Sequence, residues 1–201
     1  MQEEIRKILS HEARAVENIP ITGAYEKALD MIYKRVYQNG GKLITSGMGK
    51  AGQIALNIAT TFSSTGIPSV FLHPSDAQHG DLGVIQSKDV LLVISNSGKT
   101  REILELVDLC NGLHAGIPLL LITGNPEGQL CQVAEAVLLT GRPREVCPLE
   151  LSPTTSTTTM TVIGDVLVVL MMKKIGFTAE DYAKRHHGGY LGEKSRNATG
   201  E

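Results

Sequence analysis

Two kinds of hydrophobic spacing meet near residue 42. Before it, apolar residues recur at helical intervals: Ile5, Ile8, Leu9 and Val16 within 2–17, then Ala24, Ala28, Met31, Ile32 and Val36 within 22–38. That spacing puts them on one face, so two helices are expected, parted at Pro20. From residue 42 onward, short apolar runs alternate with amphipathic stretches. The runs predict strands at 42–46, 69–72, 90–94, 118–122 and 136–139, and the stretches predict helices at 50–63, 100–113, 127–133 and 155–174. Val90 to Ile94 and Leu119 to Ile122 are unbroken apolar runs, the pattern of strands covered on both faces. The expected fold class is α/β: a three-layer sandwich with a five-stranded parallel sheet flanked by helices. The expected organisation is N-terminal helices at 1–40, packing on or swapping with the core, one domain at 41–192, and a flexible tail at 193–201.

Open parallel sheets bind ligands outside the carboxyl ends of their strands. Two glycine-bearing turns fall there, Gly47-Met48-Gly49-Lys50-Ala51-Gly52 and Ser95-Asn96-Ser97-Gly98-Lys99-Thr100, and Thr123-Gly124-Asn125 follows the fourth strand. A strand that turns into a helix aims free backbone N–H groups and a positive dipole end at one place, which suits a phosphorylated small molecule. The first turn fits G-x-G-x-x-G, yet the next strand ends Phe71-Leu72-His73-Pro74 without the carboxylate that a dinucleotide ribose needs. Nor is it a P-loop, because the Gly-Lys step is replaced at Gln53. In the second turn a helix cap accounts for one hydroxyl, not for Ser95, Ser97 and Thr100 together, so phosphate binding is the better reading.

Composition narrows the classes. The chain has 201 residues, 42% hydrophobic and 20% charged, with a formal net charge of −2, so one globular domain is expected and a phosphate-tracking nucleic-acid surface is not. Cys110, Cys131 and Cys147 lie far apart and are odd in number, which argues for a reducing compartment; Cys147 reads as a small buried side chain. The charged N-terminus lacks a signal-peptide core, and the apolar run Val162–Met172 is short for a bilayer, so a cytoplasmic protein with no membrane association is expected. His73, His79 and Asp81 do not have the spacing of a recognised metal site; His73 and His79 are the nearest approach to one. Lys50, Glu102, Glu145 and His186 are the titratable candidates beside the turns or closing the chain.

The strings Gly47-Met48-Gly49-Lys50, Phe71-Leu72-His73-Pro74, His79-Gly80-Asp81-Leu82-Gly83, Ile94-Ser95-Asn96-Ser97-Gly98, Thr123-Gly124 and His186-x-Gly188-Gly189-x-Leu191-Gly192 resemble the D-arabinose 5-phosphate isomerases of the sugar isomerase (SIS) domain family. The resemblance covers 42–192 and implies the flavodoxin-like strand order of the SIS domain. It implies catalytic roles for Lys50, Glu102, Glu145 and His186, and a sugar phosphate held by Ser95, Ser97 and Thr100. Ser46, Gly47, Gly49, Asn96, His79, Thr155 and Ser156 complete the candidate substrate contacts. It further implies a homotetramer with shared active sites, no cofactor, and a product that feeds synthesis of the acid sugar Kdo. Many such isomerases carry a C-terminal pair of CBS modules, for which this chain, ending at Glu201, leaves no room. Lys99 stands where the family often has an acid, and His187 where it has a proline. The rival readings are an isomerase of another sugar phosphate, a sugar-phosphate sensor, and an NAD-dependent dehydrogenase. Residues 1–40 are too few and too acidic at their start for the helix-turn-helix that such sensors carry.

Overall fold

A computed structural model describes residues 1–188 and 190. Gly189, Leu191 and Gly192 of the last motif, and the expected tail at 193–201, lie outside the described residues. Five strands, β1 (Leu43–Gly47), β2 (Ser69–Phe71), β3 (Val90–Ile94), β4 (Leu119–Thr123) and β5 (Ala136–Leu139), form one sheet in the order β2-β1-β3-β4-β5. Every pairing is parallel, with Leu43 level with Ser69 and Val90, Leu91 with Leu119, and Leu120 with Ala136. This is the flavodoxin-like order, and β1, β3 and β4 are buried along their whole length.

Two hydrophobic layers cover the sheet. On one face, α2 (Ala24–Met31), α3 (Gly49–Ser64) and α6 (Thr155–Ile175) bring Ala28, Ile58, Phe62, Met160, Ile163 and Leu167 onto Leu43, Leu92, Ile94 and Leu120. On the other, α4 (Pro74–Ala77) and α5 (Arg101–Leu113) bring Ala77, Ile103, Leu106 and Cys110 onto Ile44, Leu91, Val93 and Leu121. The first helix, α1 (Gln2–Glu17), buries none of its residues and lies against α6. By length and composition α6 is apolar enough to cross a membrane, but half of that stretch is buried inside the protein and it packs on α3, α1 and α2 as a core helix. The helices α3 and α6 meet at Gly164, where a Cβ would stand 2.4 Å from Ile58 Cγ1. Their approach therefore depends on a missing side chain.

The helix expected over 22–38 divides, since α2 runs into a π-helix at Ile32–Gln38. The wider winding keeps Ile32 and Val36 inside while Tyr33 and Tyr37 stack with their rings 5.5 Å apart. The helix expected over 127–133 is a short 3₁₀ turn at Gln129–Gln132, for Leu130 is its one buried residue and Pro126 and Gly128 precede it. The 3₁₀ turn Asp81–Val84, α4, and α7 (Ala179–Ala183) are too short to show a hydrophobic period; Pro74 starts α4, and a Thr178–Asp181 capping box starts α7.

At the amino edge of the sheet, away from the glycine turns, Asp89 is fully buried. It accepts from Lys42 N, Lys42 Nζ at 2.7 Å and Gln86 N, which ties the starts of β1 and β3 together. The opposite edge holds the site.

Candidate active site at the carboxyl edge of the sheet

A cleft of about 300 Å³ opens beyond the ends of β1 and β3. Its walls are Met48, Lys50 and Ala51 at the start of α3, Ile94 to Ser97 and Thr100 before α5, and Pro153, Ser156, Thr157 and Met160 at the start of α6. Three helix N-termini thus face one small space, and their dipoles make it attractive to an anion.

The first wall depends on glycine. Helix α3 leaves β1 so sharply that a Cβ on Gly52 would lie 2.5 Å from Gly47 O, and one on Gly47 would lie 2.9 Å from the Ala51 carbonyl. Gly49 turns with φ +57°. The G-x-G-x-x-G spacing is explained by this close strand-to-helix turn. It leaves Lys50 exposed at the cleft mouth.

The second wall is held by its own backbone. Gly98 N donates to Ser95 O, Asn125 Nδ2 donates to Ser97 O at 2.9 Å, and Leu130 N donates to Gly98 O. The hydroxyls of Ser95 and Thr100 lie 2.9 Å apart. Ser97 is not the helix cap: Thr100 occupies the N-cap position, and no side chain caps the first N–H groups of α5. Ser97 Oγ accepts instead from Lys99 N. The turn is a cradle of hydroxyl and N–H groups.

The third wall is organised by Glu145. Its Oε2 accepts from Thr154 N at 2.7 Å, Thr154 Oγ1 at 2.8 Å and Ser156 N at 3.2 Å, while its Oε1 accepts from Ser156 Oγ. Burial pushes the Glu145 carboxyl up, but the bonds from Ser156 and Thr154 outweigh it and hold the group below the ordinary carboxylate value. Glu145 therefore sits on the N-terminus of α6, one hydroxyl behind the cleft, and Ser156 is the group that reaches the space.

Of the residues singled out from sequence, Lys50, Ser95, Asn96, Ser97, Thr100 and Ser156 share the cleft wall. Several others do not. Ser46 is fully buried and donates to Leu72 O, and Thr155 is fully buried with its hydroxyl turned to Glu12, so neither offers a hydroxyl to a ligand. Gly47 and Gly49 shape the turn without lining it. Glu102 is half-buried in the first turn of α5, and His79 is exposed beside the 3₁₀ turn; neither lines the cleft. His186 stacks on Tyr182 with ring centroids 3.7 Å apart, its Nδ1 3.1 Å from Tyr182 O, also outside the lining. His73 and His79 do not assemble with other ligands into a metal cluster among the described residues. Cys147 is half-buried rather than buried, and its Sγ accepts from Leu151 N and Ser152 N. Sequence reasoning missed Met48, Ala51, Ile94, Pro153, Thr157 and Met160 as lining. Met48, Ala51 and Ile94 sit within or beside the two glycine turns, which was the available signal; Pro153, Thr157 and Met160 belong to no motif.

The family model described as SIS domain matches residues 36–170. The chain belongs to the SIS-domain family. Within it, the chain is 49% identical over 154 residues to arabinose 5-phosphate isomerase KdsD of Shigella flexneri, covering 77% of this chain and 46% of that protein. The Pseudomonas aeruginosa protein of the same name is 48% identical, with 77% and 47% covered. The chain thus spans about half the length of the curated relatives it matches. Among solved SIS structures, a Bacteroides fragilis protein assigned as a phosphosugar isomerase involved in capsule formation is 62% identical with a TM-score of 0.93, covering 94% of this chain and 99% of that one. An Escherichia coli CFT073 protein solved in complex with arabinose 5-phosphate is 33% identical with a TM-score of 0.78, covering 89% and 93%.

Proposed function

We propose that this SIS domain interconverts D-arabinose 5-phosphate and D-ribulose 5-phosphate through an enediol, supplying Kdo synthesis. The observation that carries the reading is the cleft itself: a hydroxyl and N–H cradle on one wall, an exposed Lys50 on the second, and a carboxylate linked to the third through Ser156. The similarity to proteins named arabinose 5-phosphate isomerase supports the choice of sugar.

The phosphate rests on Ser95, Ser97, Thr100 and the start of α5, where dipole and hydroxyls favour its charge. Asn96 lies beside it. A carboxylate takes the proton from C2 of the open-chain aldose and the same proton, or one from solvent, returns to C1 of the enediol. Glu145 or Glu102 is that base, a task worth about 10²–10⁴ in rate. Lys50 faces the oxygen that becomes negative, a contribution of about 10²–10³ for one good donor. His186 serves ring opening or the second proton transfer, reaching the site of a neighbouring subunit in a homotetramer. The protein works in the cytoplasm, with residues 41–192 as the SIS unit and 1–40 as helices packed on it.

Proton NMR in D₂O with D-arabinose 5-phosphate tests the reading. Ribulose 5-phosphate carrying deuterium at C1 is expected. Binding without conversion would replace this reading with another sugar phosphate or a sensor.

A further inference from the structure

Helix α1 has no buried residue, yet two of its neighbouring side chains reach past the surface to the Glu145 wall. His11 Nε2 donates to Arg144 O at 2.8 Å, the carbonyl just before Glu145. Glu12 Oε1 accepts from Thr155 Oγ1 at 2.7 Å, the hydroxyl just before Ser156. The other oxygen, Glu12 Oε2, is buried without a hydrogen-bond partner among the described residues. A carboxylate inserted this way costs desolvation, so its one strong bond has to be worth keeping.

Between the two carboxylates stands a single backbone group. Val146 N lies 3.2 Å from both Thr154 Oγ1 and Thr155 Oγ1. Each hydroxyl accepts there and donates onward, Thr154 to Glu145 and Thr155 to Glu12. Glu12 thereby fixes which way the Thr155 hydroxyl points, and with it the anchor of Val146 and the residue before it. We propose that Glu12, with His11, is a positioning residue of the active site: α1 clamps both ends of the Glu145–Ser156 pair from a distance of more than 130 residues in sequence. The rate consequence rests on the isomerase reading with Glu145 as its base; the clamp itself rests on neither.

In the full chain, Glu12→Ala is expected to lower kcat about tenfold or more, since small misplacements of a reacting group carry such losses, while KM for arabinose 5-phosphate holds. Glu12→Gln keeps an acceptor for Thr155 and restores most of the rate. In a Glu145→Gln background, Glu12→Ala adds no further loss, because both changes remove the same function. Full additivity of the two changes, or a rise in KM with kcat intact, would overturn the proposal.

Hydrogen exchange gives a readout that does not need turnover. Peptides spanning residues 145–157 exchange faster in Glu12→Ala than in wild type, and return towards wild type in Glu12→Gln. Unchanged exchange there overturns the clamp even if the enzyme is active. Faster exchange in a protein that does not convert arabinose 5-phosphate upholds the clamp and overturns the substrate instead.

Discussion

The turn Ser95–Thr100 and the loop between β5 and α6 serve one cleft but are built by different means. The turn is closed by bonds to the adjoining strand ends and loops: Ser95 N donates to Ile122 O, Gly124 N to Asn96 O, and Gly98 sits against Gly128. The sheet makes it, and it needs nothing from farther away. The loop is framed that way only at its start, where Thr140 N donates to Thr123 O and Arg142 reaches Asn125 Oδ1. It carries two non-glycine residues at positive φ, Arg142 and Glu150, exposes Leu149 and Leu151, and gains its shape from Glu145 on α6 and from α1. On the proposed function, the cleft combines a sheet-built seat for the phosphate end of the substrate with a separately held group for the reacting end. In kinetic terms, the turn should govern binding and the loop should govern the chemical step.

The widest separation comes from Glu145→Gln, expected to lower kcat by about 10²–10⁴ with KM little changed. Steady-state kinetics decide it; a rise in KM alone would erase the division between the two regions. Next is Thr100→Val, which leaves Ser95 Oγ without its partner and removes a hydroxyl from the cradle. KM should rise about tenfold, the worth of one charge-assisted hydrogen bond, with kcat largely kept. A selective fall in kcat would assign chemistry to the turn.

Stability should follow the same contrast. Gly98 has φ +63°, and its Cβ would stand 3.0 Å from Gly128 Cα, so Gly98→Ala is expected to cost about 1–3 kcal/mol in denaturant unfolding. Leu149→Ala, at a side chain 74% exposed, should stay within about 0.5 kcal/mol. Equal costs would mean that the loop is as firmly framed as the turn.

The smallest effect is one of pH. The Glu145 carboxyl lies below its ordinary value of 4.5, so the stability it contributes is complete above that pH and is lost as pH falls through the lower folded value. Melting curves of wild type and Glu145→Gln should converge in acid and diverge towards neutrality. A constant gap at all pH values would show that the carboxylate's charge is not what the loop uses.

The same contrast explains what could be read without coordinates. The strands, their parallel sense and the Ser95–Thr100 cradle follow from runs of neighbouring residues, because local period and turn chemistry decide them, whereas the sheet order came with the family resemblance. The lining role of Lys50 was legible for the same reason. By contrast, the buried fate of Ser46 and Thr155 depends on partners 26 and 143 residues away, Leu72 and Glu12. A hydroxyl beside a motif looks available until its acceptor is known. The place of Glu145 behind Ser156 was hidden likewise, since no spacing reveals that a helix N-terminus will take a carboxylate from the preceding loop.

The contact between Gly164 and Ile58 has a mechanical meaning. Lys50 stands eight residues before Ile58 on α3, and Ser156 eight residues before Gly164 on α6. At 1.5 Å per residue, both lie about 12 Å along their helices from the point where those helices touch. The pair is arranged like tweezers whose pivot is the absent side chain and whose tips are two walls of the cleft. The width of the cleft therefore depends on a contact a dozen ångströms from it, and Gly164→Ala is expected to part the two walls without touching either one.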